Sequence, residues 1–357
     1  MKKKILLSLA AGVLLSSIAL YLAFRNVPFS DLLSYLGAIH YIWILPTILI
    51  IVAAFVLRAL RWQIILNSSA SVGFRMSYHP LTIGFMLNCI LPGRLGEAAR
   101  PLILKRKKGI SFTTGIATVA AERIFDAGFL ILFLALALSN IPEGNSANIS
   151  YGQYHLNMET LEMLGTHLIR LSLILLAIIF CIAFDRTRNV IARFNYRLPD
   201  ILLFFTSASV RAWVRRYLSD PLNRLMEHAA EGLLLFKHPA KLTACIGVTL
   251  AIWFLTALSY YTMALGCPDL TLSLFQVSLM MVIICFFIAL PSVPGYWGIW
   301  EAGGVFALTL FGIPSQTAAG YTLVSHAVQL FPVIIMGFIS SLALSINIRQ
   351  IAKNLHR

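Results

Sequence analysis

Charge is scarce in this chain of 357 residues. Asp, Glu, Lys and Arg make up 12% of it, about half of the roughly 25% typical of a soluble domain. With 59% hydrophobic residues and several apolar runs near the roughly 20 residues that cross a bilayer, that scarcity excludes an ordinary soluble domain. Acid is scarcer still: 14 Asp and Glu stand against 28 Lys and Arg, for a net charge of +14. In a soluble protein such an excess points to nucleic acid. Here the cations gather in a few short loops, so the positive-inside rule accounts for them and nucleic acid is set aside as a partner. The five cysteines (Cys89, Cys181, Cys245, Cys267 and Cys285) form no CxxC pair. They read as small apolar residues rather than metal ligands or a disulfide set, and no metal or cofactor is expected. No G-x-x-x-x-G-K-[ST] sequence is present, which argues against ATP drive within this chain.

Two long stretches, 140–165 and Leu242–Asn347, carry no Lys or Arg and cannot be cytoplasmic loops throughout. A topology follows from where the cations do lie. The basic start leads into an uncleaved first span at about 5–24, too long for a signal-peptide core. A second span at about 39–60 ends in Arg58 and Arg61, expected at the cytoplasmic surface. Further spans fall at about 110–139, 166–184, 242–264 and 317–345. The loop 140–165 faces outside, and the basic segment 185–241 is the main cytoplasmic loop. The expected fold is an all-α polytopic membrane protein with about six full spans, forming one integral membrane domain over 1–357. Both termini are cytoplasmic, and the location is the inner or plasma membrane. Within the basic loop, Val210, Trp213, Val214, Tyr217 and Leu218 share one helical face. Either they lie on an anionic cytoplasmic leaflet or they pack on the protein itself. Homo-oligomerisation stays open.

Two segments are too short to span. The first, 76–108, runs from one cytoplasmic cation group to another (Lys105, Arg106, Lys107 and Lys108), so it enters and returns to the same side. Pro92, Gly93 and Gly96 are expected at its turn. The second, at about 272–308, carries Pro294, Gly295 and Gly298. Both read P-G-x-x-G followed by a glutamate, Glu97 and Glu301, with two extra residues before the second. Downstream, Gly109-Ile110 recurs as Gly312-Ile313. With similar re-entrant hairpins entering from opposite faces, the sequence suggests an inverted-topology repeat, approximately 5–139 and 166–345, in which broken segments meet near the midplane.

Charge inside the apolar runs is costly, roughly 2.5–3.5 kcal/mol per residue at a helix centre on insertion scales. Glu122, Arg123 and Asp126 sit in one span, and Arg94, Glu97 and Arg100 on the first hairpin. Arg123 and Asp126, three apart, are placed to pair. Glu122 then needs a cation, for which Arg94 or Arg100 is the natural candidate. Counted together the six residues are neutral. Either they form an ion-pair staple, or they line a cavity in which arginine, whose planar fork suits phosphate, is lent to a substrate. The second half has Glu301, read as an unpaired carboxylate, and His326, which titrates near neutral pH when unperturbed. Trp297 and Trp300 read equally as interfacial anchors or as site residues.

The stretches "LPGRLGEAARPLIL", "ISFTTGIATVAAERIFD" and "PSVPGYWGIWEAGGVFALTLFGI" resemble the lysylphosphatidylglycerol synthase transmembrane family, also called flippase-like domain proteins. The resemblance covers about 5–345. It implies a membrane unit that moves aminoacylated phospholipid, here without the soluble synthase that founding members carry. It points to Arg94, Glu97, Arg100, Glu122, Arg123, Asp126 and Glu301. The resulting expectation is a translocase rather than an enzyme, whose partner is a membrane lipid with an anionic phosphate head group. A transporter of a small soluble anion and an integral membrane lipid transferase are the alternatives.

Overall fold

The computed structural model describes residues 2–91, 94–139, 149–151, 154–156, 184–202, 204–232, 234–348 and 350–351, with isolated positions between 166 and 182. In hydrocarbon a backbone must satisfy its own hydrogen bonds, and a helix does so locally. The apolar runs fold accordingly. The first half contains α1 (Lys2–Phe24), α2 (Phe29–Gly37), α3 (Ile44–Leu66), α4 (Phe74–Ile90), α5 (Leu95–Lys108) and α6 (Phe112–Ser139). A basic segment follows with α7 (Asp185–Leu202), α8 (Ala208–Val214) and α9 (Asp220–Gly232). The second half holds α10 (Pro239–Ala264), α11 (Leu274–Ile288), α12 (Ile299–Leu310) and α13 (Ser315–Ala343). Three segments, Tyr41–Leu66, Pro239–Ala264 and Ser315–Ala343, are long and apolar enough to cross a membrane, and Gly12–Phe24 with Phe29–Gly37 forms a bent pair at 78°.

Several expectations are corrected. The α2 helix was not anticipated; Pro28 at its N-cap lacks an amide to continue α1, so the chain breaks and turns there. The second span reaches Leu66 rather than ending near 60. The all-α expectation has one exception, a short antiparallel pair of β1 (Ile149–Tyr151) and β2 (Tyr154–Leu156). Pro92, Gly93, the rest of 140–165 and most of the expected span 166–184 lie outside the described residues. In the basic segment, Val210, Trp213, Tyr217 and Leu218 are exposed and Val214 is half-buried, so most of their shared face does not pack on the protein itself.

The α4–α5 and α11–α12 pairs are short. Their arms of 17, 14, 15 and 12 residues extend roughly 18–26 Å at 1.5 Å per residue, against a hydrocarbon core of about 30 Å. Gly96 is the second residue of α5, just past the break between the arms, where a Cβ would overlap the Gly84 carbonyl oxygen of α4; glycine is what lets these arms close. Its amide also donates to Asn88 Oδ1 at 2.8 Å. Arg94 at the start of α5 is left-handed at φ 54°, and in the second turn Tyr296 is likewise left-handed at φ 64° beside the expected turn glycines Gly295 and Gly298, at φ 75° and 86°.

The order of long helix, short pair, long helix thus occurs twice, as α3, α4–α5, α6 and as α10, α11–α12, α13. The corresponding helices α3 and α10 run antiparallel. Thr47 near the start of α3 meets Thr262 near the end of α10 at 3.0 Å, and Arg61 near the end of α3 donates to Thr249 in the first half of α10 at 3.0 Å. Their contact, with α4, α6, α11 and α13 around it, holds the main buried core, including Trp62, Leu81, Met280 and Tyr321.

Candidate functional site

Between the two short pairs lies a cavity of about 420 Å³. Its walls are largely apolar and aromatic, with Phe55, Phe85, Trp253 and Tyr260 among them, but Arg58, Arg94, Glu97, Arg100, Arg123 and Asp126 also line it. The α6 helix supplies the acids. Glu122 and Asp126, one turn apart, are 1% and 6% exposed, and two buried carboxylates on one face would repel unless cations reach both. Two arginines do. Arg100 on α5 hydrogen-bonds and pairs with Glu122 Oε2, and its guanidinium carbon lies 4.0 Å from the centre of the Trp62 ring. Arg61 on α3 donates to Asp126 Oδ1 at 2.8 Å and reaches Glu122 Oε1 at 3.9 Å. Arg123 sits at 3.5 Å from Asp126 Oδ2 and 3.9 Å from Glu97.

Arg58 and Arg61 are therefore corrections. They were expected at the cytoplasmic surface; Arg61 is instead 1% exposed within the protein, and Arg58 lines the cavity. The signal was present in the sequence: "WQIIL", residues 62–66, continues apolar beyond Arg61, which places both arginines inside the helix rather than at its end. The charge balance changes with them. Five arginines (Arg58, Arg61, Arg94, Arg100 and Arg123) face three carboxylates (Glu97, Glu122 and Asp126), so the cluster is not neutral but carries two excess cations.

Those two are identifiable. Among the described residues, Arg58 and Arg94 make no ion pair with a carboxylate. Arg58 donates to Thr256 Oγ1 at 3.3 Å and lies 5.8 Å from the ring centres of Phe55, Phe85 and Trp253, while its buried Nε has no acceptor. Arg94 reaches across to the second pair and donates to the Ile288 carbonyl at 2.5 Å.

Glu301 and His326 occupy different ground. Both are 0% exposed, and the expectation of an unpaired carboxylate is overturned. Glu301 Oε2 accepts from the Gly298 amide at 2.7 Å, Glu301 Oε1 lies 2.6 Å from His326 Nδ1, and His326 Nε2 lies 2.9 Å from the Gly295 carbonyl. A carbonyl only accepts, so Nε2 donates to it, and Nδ1 and Oε1 are joined by one further hydrogen bond. Trp297 and Trp300 pack on the imidazole at 4.3 and 4.4 Å, the latter parallel within 3°. Of the residues singled out in sequence, Arg94, Glu97, Arg100, Arg123 and Asp126 come together on the cavity, Glu122 stands behind them, and Glu301 and His326 form a separate closed knot.

Fold and site define a polytopic helical membrane protein that keeps a charged cavity within an apolar interior. The chain belongs to the family described as the lysylphosphatidylglycerol synthase TM region, which it matches over residues 9–337. It is 25% identical over 361 residues to glycosyltransferase AglD of Haloferax volcanii, covering 96% of this chain and 55% of that protein, so the chain spans about half the length of that relative. It is 23% identical over 273 residues to UPF0104 membrane protein MJ1078 of Methanocaldococcus jannaschii, covering 75% of this chain and 98% of that protein. No solved structure matches the chain.

Proposed function

We propose that this protein moves a phosphate-bearing lipid between membrane leaflets through the cavity between the two short helical pairs. One observation carries the reading: a cavity with apolar walls that also presents Arg58 and Arg94, neither held by a carboxylate. Apolar walls suit a chain and a guanidinium suits a phosphate. Arms of roughly 18–26 Å, left-handed residues at the same place in both Pro-Gly turns and the antiparallel α3 and α10 support re-entrant hairpins related by inversion. Exchange between the hairpins would then open the site to either leaflet. In this reading the chain has about six spans and cytoplasmic termini, in the inner or plasma membrane. The exposed face of Val210, Trp213, Tyr217 and Leu218, flanked by Arg211, Arg215 and Arg216, lies on the anionic cytoplasmic leaflet.

The name of AglD gives the transferase alternative its weight. That name describes a protein of which this chain covers 55%, and two of the three carboxylates, Glu122 and Asp126, are held by arginines rather than free to act as acid or base.

Leaflet-specific exchange of labelled lipid in reconstituted vesicles tests the proposal. Arg58→Gln combined with Arg94→Gln should lower exchange by about tenfold or more, the effect of losing a charge-assisted phosphate contact worth about 1.5–3 kcal/mol. Stability should hold, because neither change strands a carboxylate. Wild-type exchange in the folded double variant would sink the cavity as the route.

A further inference from the structure

The charges around the cavity are unevenly matched, and the mismatch has chemical content. Two of the three carboxylates are firmly engaged, Glu122 by Arg100 and Arg61 and Asp126 by Arg61 and Arg123, while Glu97 has only a 3.9 Å contact with Arg123. Among the described residues, two guanidinium groups, those of Arg58 and Arg94, pair with no carboxylate. Arg58 is surrounded by three aromatic rings and has a buried Nε without an acceptor. A cation so placed is costly until an anion reaches it. Around the two arginines, Asn88, Thr256, Tyr296 and Gln329 line the same cavity and offer neutral hydrogen-bonding groups.

An ammonium group finds nothing comparable. The head group of an aminoacylated or zwitterionic lipid would compete with Arg123 for Glu97, or break a firmer arginine pair, and would bring a positive charge to a wall that already has two in excess. A phosphodiester brings one negative charge to match two cations. A phosphate monoester carries about −1.5 to −2 near neutral pH and three terminal oxygens, enough for two forked arginines at once.

We propose that the cavity selects lipids ending in a phosphate monoester, and discriminates against aminoacylated and zwitterionic phosphodiester lipids, through the unpaired arginines Arg58 and Arg94, which leave the charge around it two cations in excess. The assignment rests on the translocase reading for its biological meaning but not for its test, because binding is measured apart from movement.

The test has two arms on the full chain. In detergent, phosphatidic acid, phosphatidylcholine, lysyl-phosphatidylglycerol and inorganic phosphate are compared for protection against thermal unfolding. Phosphatidic acid should protect at roughly tenfold lower concentration than the other two lipids, and that advantage should shrink to about threefold or less in Arg58→Gln and in Arg94→Gln. Equal or better protection by lysyl-phosphatidylglycerol would overturn the selectivity. Protection by inorganic phosphate equal to that by phosphatidic acid would overturn the lipid assignment in favour of a soluble anion. In vesicles, the same three lipids with labelled acyl chains are followed between leaflets. The monoester preference in detergent without exchange in vesicles would remove the translocase reading and leave the site. Exchange of all three at one rate would retain the translocase and remove the selectivity.

Discussion

The two short helical pairs share a backbone device and differ in what they do with it. In each, Pro-Gly leads into a residue with left-handed backbone, Arg94 or Tyr296, and a glutamate follows in the first turn of the next helix. In the first pair that glutamate, Glu97, has a side chain 33% exposed at the cavity and a loose 3.9 Å contact with Arg123. In the second, Glu301 is fully buried, and its two oxygens engage Gly298 and His326, while the imidazole's other nitrogen meets the Gly295 carbonyl. The same motif is thus a charged wall in one half and a self-satisfied clamp in the other. A shared motif fixes the shape of a turn; the partner brought by a neighbouring helix, Arg123 from α6 or His326 from α13, decides whether its glutamate is available.

The largest expected effect tests that division directly. Glu301→Ala leaves an amide and an imidazole nitrogen buried without their acceptor, and breaking one partner of a buried pair costs about 3–5 kcal/mol. Glu97→Ala removes a half-open contact of the kind worth about 0–1 kcal/mol. Thermal unfolding in detergent should show a large loss for the first and little for the second, while lipid exchange should respond to Glu97→Ala in otherwise stable protein. A greater loss of stability in Glu97→Ala than in Glu301→Ala would collapse the distinction.

Hydropathy and the distribution of cations made much of the helical framework legible, since both act over whole segments. The motif Pro-Gly-x-x-Gly with its glutamate, and the cluster Glu122, Arg123 and Asp126, were legible for the same reason that they are costly: charge and helix breakers inside apolar runs demand an explanation. Arg58 and Arg61 were misplaced because a cation near a span's end is usually at the interface, and only the apolar continuation to Leu66 says otherwise. His326 stood out in the sequence, but its bond to Glu301 joins residues 25 apart on different helices and depends on how α12 and α13 pack. The left-handed backbone at Arg94 was not legible either, because positive φ is ordinarily glycine's and nothing in the sequence marks an arginine for it.

A smaller effect is expected where the glycines lie. Gly96→Ala would push α5 away from Gly84 of α4, while Gly298→Ala would meet the Ser16 carbonyl of α1. Overpacking of this kind costs about 1–3 kcal/mol, and Gly298, at φ 86°, adds the strain of a side chain on left-handed backbone, so total stability should fall somewhat more there. Location separates them well. Gly96→Ala should disturb the arginine wall and lower lipid exchange, whereas Gly298→Ala should loosen α1 and raise thiol labelling of a Ser16→Cys variant. Labelling at Ser16→Cys that rises with Gly96→Ala instead would show the two pairs to be mechanically joined rather than separately built.

The smallest stability effect, and the sharpest separation of shape from chemistry, is expected at Arg94. A left-handed residue other than glycine carries a cost of about 1–2 kcal/mol, which Arg94→Gly would relieve while adding about 0.5–1 kcal/mol of chain entropy to be lost on folding. The net change in unfolding temperature should therefore be slight and of either sign. A sequence selected only for the turn has little reason to keep arginine there; one selected for the cavity does. Exchange should fall clearly in Arg94→Gly and to an intermediate level in Arg94→Lys, which keeps the charge but loses the two-pronged geometry. If Arg94→Gly exchanges lipid at the wild-type rate, the guanidinium serves only its bond to the Ile288 carbonyl, and the cavity's excess charge rests on Arg58 alone.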